Sequence, residues 1–500
     1  MASLLPADIY RHQNGLKHIN VSNSDGFSAL FVVNTPIFDN SGVAHAVEHM
    51  VFRGSTAFPQ PETLFQLTSL TDAKINASTF ANTTYFHCQS QCAHTFMLAV
   101  NYLLNGLFNP IFNAEDLPCE IHDGNDKGVI YQELIASEQA EQKSTEESSN
   151  NKNDKNNFCY GGISASIGDL SLSDLTGFHQ RFYQASNITL VTANADIEQI
   201  SYLMTLLPKQ SKQIQGHTQD NAQKRTQKNK NNEHHQKKYP AAINKLIAHY
   251  HLWLHTPYYQ KIEDYKEIKQ TEKFLVCNTD SLAILPHSNL IPSLVTLSNK
   301  LVKDTINEQA IDAGISAMAI KGMGIKKPAN KTLLPNLFNK LCRQAKKQLT
   351  INELSQNKAN CHPNHVGVSD QRNALWLTNI GATEQVLATM TSYIISAYPK
   401  FLAPRCQGLC YATQALTIEK SAYLAIYNAF DVNPDTRLKE VTLCLLTLSQ
   451  DKHFISMSLA LAKIKYCQIE QVNNNQAMSI TPTDISTYLQ TLANSHHPKV

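Results

Sequence analysis

The chain has 500 residues, of which 42% are hydrophobic and 17% are charged, which is the composition of a globular protein with buried cores. This length predicts about three domains of ordinary size. The formal net charge of +2 gives no electrostatic reason to expect nucleic acid or an anionic membrane as a partner. A membrane-spanning helix needs about 20 consecutive apolar residues, and no apolar run in the sequence approaches that length. This argues against an integral membrane protein.

The N-terminal sequence MASLLPADIYRHQNG bears on the compartment in which the protein is expected. It has neither the basic start and long apolar core of a secretory signal nor the Arg- and Ser-rich amphipathic pattern of a transit peptide. The 11 cysteines are odd in number and lack the regular spacing of a disulfide framework. Both features predict a cytoplasmic protein in a reducing compartment.

Strand-like and helix-like segments alternate between residues 15 and 196. Period-two hydrophobic patterns predict strands, and patterns with helical spacing predict helices. The predicted strands are GLKHINVS (15–22), SALFVVNTP (28–36), TTYFHCQS (83–90) and NITLVTANAD (187–196). The predicted helices are GVAHAVEHMVF (42–52), AHTFMLAVNYLLNGLF (93–108) and LSDLTGFHQRFYQ (172–184). Segments of both kinds within one unit predict an α+β fold, with helices packed on mainly antiparallel sheets.

The pentapeptide HAVEH at residues 45–49, inside the predicted helix 42–52, is the most informative pattern in the chain. Residues four apart lie on one helical face about one turn apart, so the imidazoles of His45 and His49 can converge on one metal ion. Glu48 lies on nearly the same face. The order H-x-x-E-H is the inverzincin signature, the reverse of the H-E-x-x-H of other zinc proteases. For this pentapeptide alone, a structural histidine pair on a helix is the alternative.

A catalytic zinc ion normally has three protein ligands and an open fourth position, so one more ligand is needed. The candidate is Glu133, in the segment KGVIYQELIASEQA. The apolar residues Val129, Ile130, Leu134 and Ile135 have helical spacing and would place Glu133 on a helix that faces the core. On its own, such a glutamate is more often a solvated helix residue than a ligand.

Two polar tracts divide the chain. Residues 138–157 predict a disordered surface loop after the Glu133 helix, because they are polar and poor in apolar side chains. Residues 206–240 are rich in Lys, Gln and Asn and predict a linker, with metal binding by His234 and His235 as the weaker alternative. The sequence predicts four parts: a zinc-binding domain at 1–205, the linker at 206–240, a short, largely helical middle region at 241–345 and a C-terminal domain at 346–500.

The second half contains one further notable segment, PRCQGLCYATQ at residues 404–414. The preceding residues 373–403 predict a strand followed by an amphipathic helix. Taken alone, Arg405 is a candidate surface charge and Tyr411 a candidate half-buried strand residue.

Three separated segments together resemble one known family. They are GVAHAVEHMVFRGS (42–55), INASTFANTTYFHC (75–88) and GVIYQELIAS (128–137), and they are similar to the pitrilysin/insulinase zinc peptidases, particularly those of the presequence protease type. The resemblance continues through residues 160–196. It implies repeated two-layer domains, each with helices packed on a mainly antiparallel sheet.

The resemblance also implies a metal site. By it, His45, His49 and Glu133 are the ligands of one zinc ion, and Glu48 is the general base. These roles agree with elementary chemistry, because bound zinc lowers the pKa of its water to about 7 and a neighbouring carboxylate can take the proton.

Further positions are implied to bind the substrate. Asn76 and Ala77 lie on a strand that, by the resemblance, pairs with an extended peptide through main-chain hydrogen bonds. A plain packing role is the alternative for each of them. By the resemblance, Arg405, Gly408 and Tyr411 lie on one strand that faces the zinc domain. Arg405 and Tyr411 match a pair that contacts the substrate carbonyl opposite the metal, where two donors would stabilise a developing oxyanion.

The chain is too short for the two halves of two domains each that presequence proteases have. Either the chain folds its own Arg405 and Tyr411 over the zinc, or a second subunit supplies that wall in a homodimer. The implied function is zinc-dependent endopeptidase activity on short unstructured peptides. The alternatives are a catalytically silent peptide-binding or scaffold member of the family, and a structural zinc site, which would usually have four ligands rich in Cys.

Overall fold

In a computed structural model, the structure describes eight ranges of the chain: residues 7–21, 26–80, 82–145, 158–207, 330–355, 365–418, 422–470 and 475–494. The predicted linker beyond residue 207, with His234 and His235, lies outside the described residues. The predicted middle region lies outside them as far as residue 329. The division of the chain into four parts therefore stays a prediction.

A six-stranded sheet forms the centre of the N-terminal unit, which is described between residues 7 and 207. Its strands are β1 (Ala7–Arg11), β2 (Lys17–Val21), β3 (Phe27–Asn34), β4 (Lys74–Thr79), β5 (Thr83–Ser90) and β6 (Ile188–Ala193). They run in the order β1-β2-β6-β3-β5-β4. Only β2 and β6 are parallel, and the other neighbouring pairs are antiparallel. The edge strand β4 is the one that carries Asn76 and Ala77.

Helices cover this sheet. They are α1 (Val43–Arg53), α2 (Thr63–Leu70), α3 (Ala93–Phe108), α4 (Leu117–Glu120), α5 (Val129–Thr145), α6 (Ser164–Ile167), α7 (Leu172–Phe182) and α8 (Ile197–Leu206), with 3-10 turns at Ala114–Asp116 and Ala185–Asn187. Helix α3 is apolar on most of its circumference and packs on β3, β5 and α1. Each strand and helix predicted between residues 15 and 196 is present.

An antiparallel four-stranded sheet forms the centre of the C-terminal unit, which is described between residues 330 and 494. Its strands are β7 (His365–Ser369), β8 (Ala374–Asn379), β9 (Ala412–Thr417) and β10 (Tyr423–Ala429), in the order β7-β8-β10-β9. Its helices are α9 (Asn330–Ser355), α10 (Gln385–Ala397), α11 (Pro399–Cys406), α12 (Pro434–Gln450), α13 (Lys452–Glu470), α14 (Asn475–Ser479) and α15 (Pro482–Asn494), with a 3-10 turn at Ala382–Glu384. The predicted α+β class is confirmed.

Helix α9 packs on β7 and β8 through the buried residues Leu341, Ala345 and Leu349. It crosses the predicted boundary between residues 345 and 346. Its packing places the described part of the helix with the C-terminal unit.

Two predictions about local structure are wrong. Residues 138–145 are not a disordered loop but continue helix α5 to Thr145, because Glu, Gln, Ala and Lys are strong helix formers even without an apolar face. Residues 146–157 lie outside the described residues. Arg405 does not lie on a strand but in the last turn of α11, which begins with Pro399 at its first position, where proline suits a helix. The strand begins only at Ala412.

The two units pack against each other through α2. Gln66 Nε2 donates to the Ala397 carbonyl (3.1 Å), and Ser69 Oγ donates to the Ser396 carbonyl (3.2 Å). Helix α2 contacts α10 and α13, and apolar residues of both units belong to one continuous core. This contact brings α11 next to α4. Within the ranges that the structure describes, no helix combines the length and the apolar character needed to cross a membrane.

Candidate metal centre

Helix α1 holds His45, Glu48 and His49 in place. Ala46, Val47 and Met50, on its other face, are fully buried in the core. The helix begins after Gly42, whose φ of 76° lies in the left-handed region. A Cβ at Gly42 would lie 2.8 Å from the Gly161 carbonyl oxygen, so this turn requires glycine. Core packing thus fixes the face of the helix that presents the three polar side chains.

Helix α5 brings Glu133 to this face. Ile130 and Leu134 are buried beside it and fix the rotation of α5. Glu133 Oε2 lies 3.7 Å from His45 Nε2 and 3.8 Å from His49 Nε2. The ligand atoms of the three residues lie within 4.8 Å of one another. Two ligand atoms that each lie about 2.1 Å from one zinc ion are at most about 4.2 Å from each other. A small movement of the side chains would therefore let all three residues bind one ion.

Hydrogen bonds orient both imidazole rings. His45 Nδ1 contacts the Gly161 carbonyl at 3.0 Å, and His49 Nδ1 contacts Glu120 Oε1 at 2.8 Å. A carbonyl or a carboxylate oxygen accepts, so each Nδ1 carries the proton and each Nε2 keeps its lone pair. Both lone pairs therefore remain for a metal ion, and two nitrogens with one carboxylate oxygen are a donor set that suits zinc.

The charges of the site influence one another. Burial lowers the pKa of His49, but Glu120, Glu133 and Glu48 outweigh burial, and the pKa is raised above its ordinary value. Burial raises the pKa of Glu48, although His45 and His49 act in the opposite direction. A carboxyl whose pKa is raised toward neutrality is suited to accept and release a proton.

Strand β4 contributes a hydroxyl to this site. Thr79 Oγ1 donates to Glu48 Oε2 over 2.5 Å. Because alternate strand residues share a face, Ala77 and Thr79 both face α1, whereas Asn76 is exposed on the other face. Ala77 is buried beneath α1, which makes close packing its structural role. Thr79 is not among the residues that the sequence predicts for the site, although its position two residues after Ala77 on a predicted strand places it on the same face.

A buried glutamate lies behind His49. Glu120 is buried, and its Oε1 accepts from His49 Nδ1. Arg405 donates to both oxygens, at 2.9 Å to Oε1 and 3.1 Å to Oε2, and Arg53 Nη1 donates to Oε2 at 2.9 Å. Burial would raise the pKa of Glu120, but Arg405 and His49 outweigh it and hold the pKa far below its usual range. We call His49, Arg53, Glu120 and Arg405 the Glu120 cluster.

The Arg405 guanidinium contacts Glu120, which in turn contacts the candidate ligand His49. The contact of Arg405 with the substrate carbonyl, which the family resemblance implies, stays a prediction. The Tyr411 hydroxyl is electrostatically coupled to the centre: the Glu133 carboxylate has the largest effect on it and, together with burial, raises the pKa of Tyr411 well above its ordinary value. Both residues belong to the same chain as His45, His49 and Glu133. A homodimer stays a prediction.

Gly408, between Arg405 and Tyr411, is a point of close contact between the units. Its φ is 74°, and a Cβ there would lie 2.2 Å from the carbonyl oxygen of Cys119 in α4. The Gly408 carbonyl accepts a hydrogen bond from the Gly128 N–H (3.0 Å), directly before α5. Gly408 thus contacts α4 and the start of α5, the two elements that carry Glu120 and Glu133.

Comparison with known proteins adds an independent observation. A family model described as "Insulinase (Peptidase family M16)" matches residues 38–155, a range that includes His45, Glu48, His49 and Glu133. A protein of Kluyveromyces lactis named "Presequence protease, mitochondrial" is 26% identical over 247 residues, which cover 44% of this chain and 24% of that protein. The Saccharomyces cerevisiae protein of the same name is 28% identical over 213 residues, covering 38% and 20%.

The chain thus spans about a quarter or less of the length of these relatives. A solved structure described as a putative M16-like peptidase from Alicyclobacillus acidocaldarius aligns at 12% identity with a TM-score of 0.32, over 98% of this chain and 93% of that one.

Proposed function

Because this chain belongs to the insulinase family of peptidases, M16, with presequence proteases among its relatives, we propose that it is a zinc-dependent endopeptidase of short unstructured peptides. The observation that carries the proposal is the convergence of His45, His49 and Glu133 within 4.8 Å, with Glu48 on the same helix face. In this proposal His45, His49 and Glu133 hold the ion. When bound, zinc supplies Lewis-acid chemistry, lowering the pKa of a water molecule and polarising the scissile carbonyl.

Glu48 moves the proton in this proposal. One of its oxygens, Oε2, is held by Thr79, which leaves Oε1 to take a proton from the attacking water. The same carboxyl then returns the proton to the leaving amine, as general acid/base catalysis requires. Proton transfer by a positioned side chain typically contributes about 10²- to 10⁴-fold to the rate.

The edge strand β4 binds the substrate in this proposal. Its pairing with β5 leaves the other edge of the described sheet open to an extended peptide, which would add as a further strand beside Asn76 and Ala77. Recognition by main-chain hydrogen bonds tolerates many side chains, which supports unstructured peptides as the substrate class. Tyr411 stays protonated because its pKa is raised, so its hydroxyl can donate to charge that develops on the carbonyl oxygen.

The proposal is tested by measuring zinc content together with cleavage of an unstructured fluorogenic peptide by the full chain. We expect about one zinc ion per chain, cleavage that a chelator abolishes and recovery when zinc is returned. Peptide binding without cleavage by the zinc-loaded chain would instead favour a catalytically silent member of the family. The presence of His45, Glu48, His49 and Glu133 together supports the enzyme.

A further inference from the structure

The Glu120 cluster connects the two units at the candidate metal centre. His49, Arg53 and Glu120 belong to the N-terminal unit, whereas Arg405 belongs to the C-terminal unit. The side chains are buried: those of Glu120 and Arg405 are 4% and 12% exposed. A buried ion pair whose two partners come from different units forms only when those units are packed together.

The two oxygens of Glu120 have different partners. Oε1 accepts from His49 Nδ1 and Arg405 Nη2, and Oε2 accepts from Arg53 Nη1 and Arg405 Nη1. Arg405 is the one member that contacts both oxygens, in the bidentate geometry that fixes the plane of a carboxylate. Arg53 alone would hold Oε2 and leave the carboxylate free to rotate away from His49.

The chain around Arg405 is itself fixed to the N-terminal unit. Arg53 Nη2 donates to the Cys406 carbonyl at 2.6 Å. Gly408 then packs against Cys119, one residue before Glu120, with no room for a side chain. Arg405 is therefore placed by contacts on both sides of its partner, and it is not a flexible surface charge.

We propose that Glu120 and Arg405 are positioning residues that make metal binding at His49 depend on the packing of the C-terminal unit. Arg405 holds the Glu120 carboxylate in the plane that accepts from His49 Nδ1, and this hydrogen bond directs His49 Nε2 toward Glu133. Such outer partners of a metal-binding histidine fix its tautomer and ring orientation. The inference rests on the proposed function, because it takes His49 as a metal ligand.

The test uses the full chain and two measurements other than activity. The zinc dissociation constant is determined by competition with a chromophoric chelator, and the visible absorption of the Co²⁺-substituted protein reports ligand geometry. The variants are Glu120→Gln, Arg405→Met and Arg405→Lys. The control is Gln66→Leu, which removes a hydrogen bond between the units, to the Ala397 carbonyl, without contact to the Glu120 cluster.

We expect Glu120→Gln to weaken zinc binding about 10- to 100-fold, the usual effect of losing an outer partner of a metal ligand. Arg405→Met should weaken it about tenfold and change the Co²⁺ spectrum. Arg405→Lys keeps the charge but cannot bridge both oxygens, so its affinity should fall between those of the wild type and Arg405→Met. Gln66→Leu should leave affinity and spectrum as in the wild type.

Wild-type affinity and spectrum in Arg405→Met would overturn the inference, and so would an equal loss in Gln66→Leu. If Arg405→Met fails to fold, the zinc affinity of Arg405→Lys is the test. Wild-type zinc affinity in Arg405→Lys would then overturn the inference. A wild-type chain that binds neither Zn²⁺ nor Co²⁺ would overturn the proposed function itself, which is a different result from a metal-binding chain with unaffected variants.

Discussion

Thr79 donates its hydroxyl to Oε2 of Glu48 over 2.5 Å, so the proposed general base is held from the edge strand that is proposed to bind the peptide. Thr79 also lies 3.3 Å from the hydroxyl of Thr84, which lies 2.8 Å from that of Thr35. A short chain of hydroxyls therefore connects Glu48 to the interior of the sheet. One carboxylate oxygen is fixed, and the other is left for the reaction.

The first prediction concerns this hydrogen bond. Thr79→Val keeps the shape of the side chain but removes the donor, and we expect kcat to fall about 10- to 100-fold, since a hydrogen bond to a charged group is worth about 1.5–3 kcal/mol. Thr79→Ser keeps the hydroxyl and should retain most of the activity. Zinc content should be unchanged in both. Equal activities in the two variants would show that the hydroxyl does not position Glu48.

Tyr411 provides the second prediction. Tyr411→Phe removes a donor near the reacting carbonyl, and we expect kcat to fall about 10²-fold with zinc affinity unchanged. Tyr427→Phe is the control, because Tyr427 is a buried tyrosine of the same unit whose hydroxyl contacts Asn373. Steady-state kinetics on the same fluorogenic peptide measure both. A similar loss in the two variants would attribute the effect to folding of the C-terminal unit.

Gly408 leads to a prediction about stability. Gly408→Ala places a methyl group 2.2 Å from the Cys119 carbonyl oxygen, and it also places a residue with a Cβ in the left-handed region. Gly15→Ala is the matched control, because Gly15 has a φ of 92° and nothing within 4 Å of the added Cβ. The conformational cost common to both is about 1–2 kcal/mol. Thermal unfolding should show the larger loss for Gly408→Ala, and equal losses would contradict the close contact.

Lys465 predicts a pH dependence of stability. Its Nζ donates to the carbonyls of Thr68 and Ser69 across the contact between the units, both at 2.9 Å. Burial lowers the pKa of Lys465 from 10.5 to about 7, with Asp72 acting in the opposite direction. Between these two values the unfolded chain keeps the proton that the folded chain has released. The free energy of unfolding therefore rises with pH in this window. Below about pH 7 Lys465 is charged in both the folded and the unfolded chain, and the folded chain bears the full free-energy cost of burying that charge.

Denaturant unfolding at several pH values tests this slope. We expect the free energy of unfolding of the wild type to rise more steeply than that of Lys465→Met, by up to about 1.4 kcal/mol per pH unit between about pH 7 and about pH 10. Parallel profiles for the two proteins would show that Lys465 stays charged in the folded chain.

Much of the N-terminal unit could be predicted from the sequence because its signals are local. Residues 42–52 show helical periodicity and contain the H-x-x-E-H order, so one helix carries both signals. The apolar residues beside Glu133 predict which face of α5 packs on the core. Glu120 gave no such signal, since it lies on a four-residue helix 71 positions after His49, and only the packing of α4 brings the two together. Contacts of this kind depend on tertiary structure and have no period in the sequence.

The region around Arg405 shows a second reason why a prediction made from the sequence can be wrong. The segment at residues 404–414 joins the end of a helix, a left-handed glycine and the start of a strand, so no single period describes it. The resemblance found Arg405, Gly408 and Tyr411 but assigned them one strand. Their separate positions explain why Arg405 contacts Glu120 while the Tyr411 hydroxyl is electrostatically coupled to Glu133.

The central claim, that Glu48 is the base at a metal site formed by His45, His49 and Glu133, is tested most directly by Glu48→Gln. This variant keeps the size of the side chain and removes its ability to accept a proton. Zinc content and peptide cleavage are measured on the same sample. We predict bound zinc as in the wild type and a cleavage rate lowered by at least about 10²-fold. Cleavage at the wild-type rate by zinc-loaded Glu48→Gln would contradict the account.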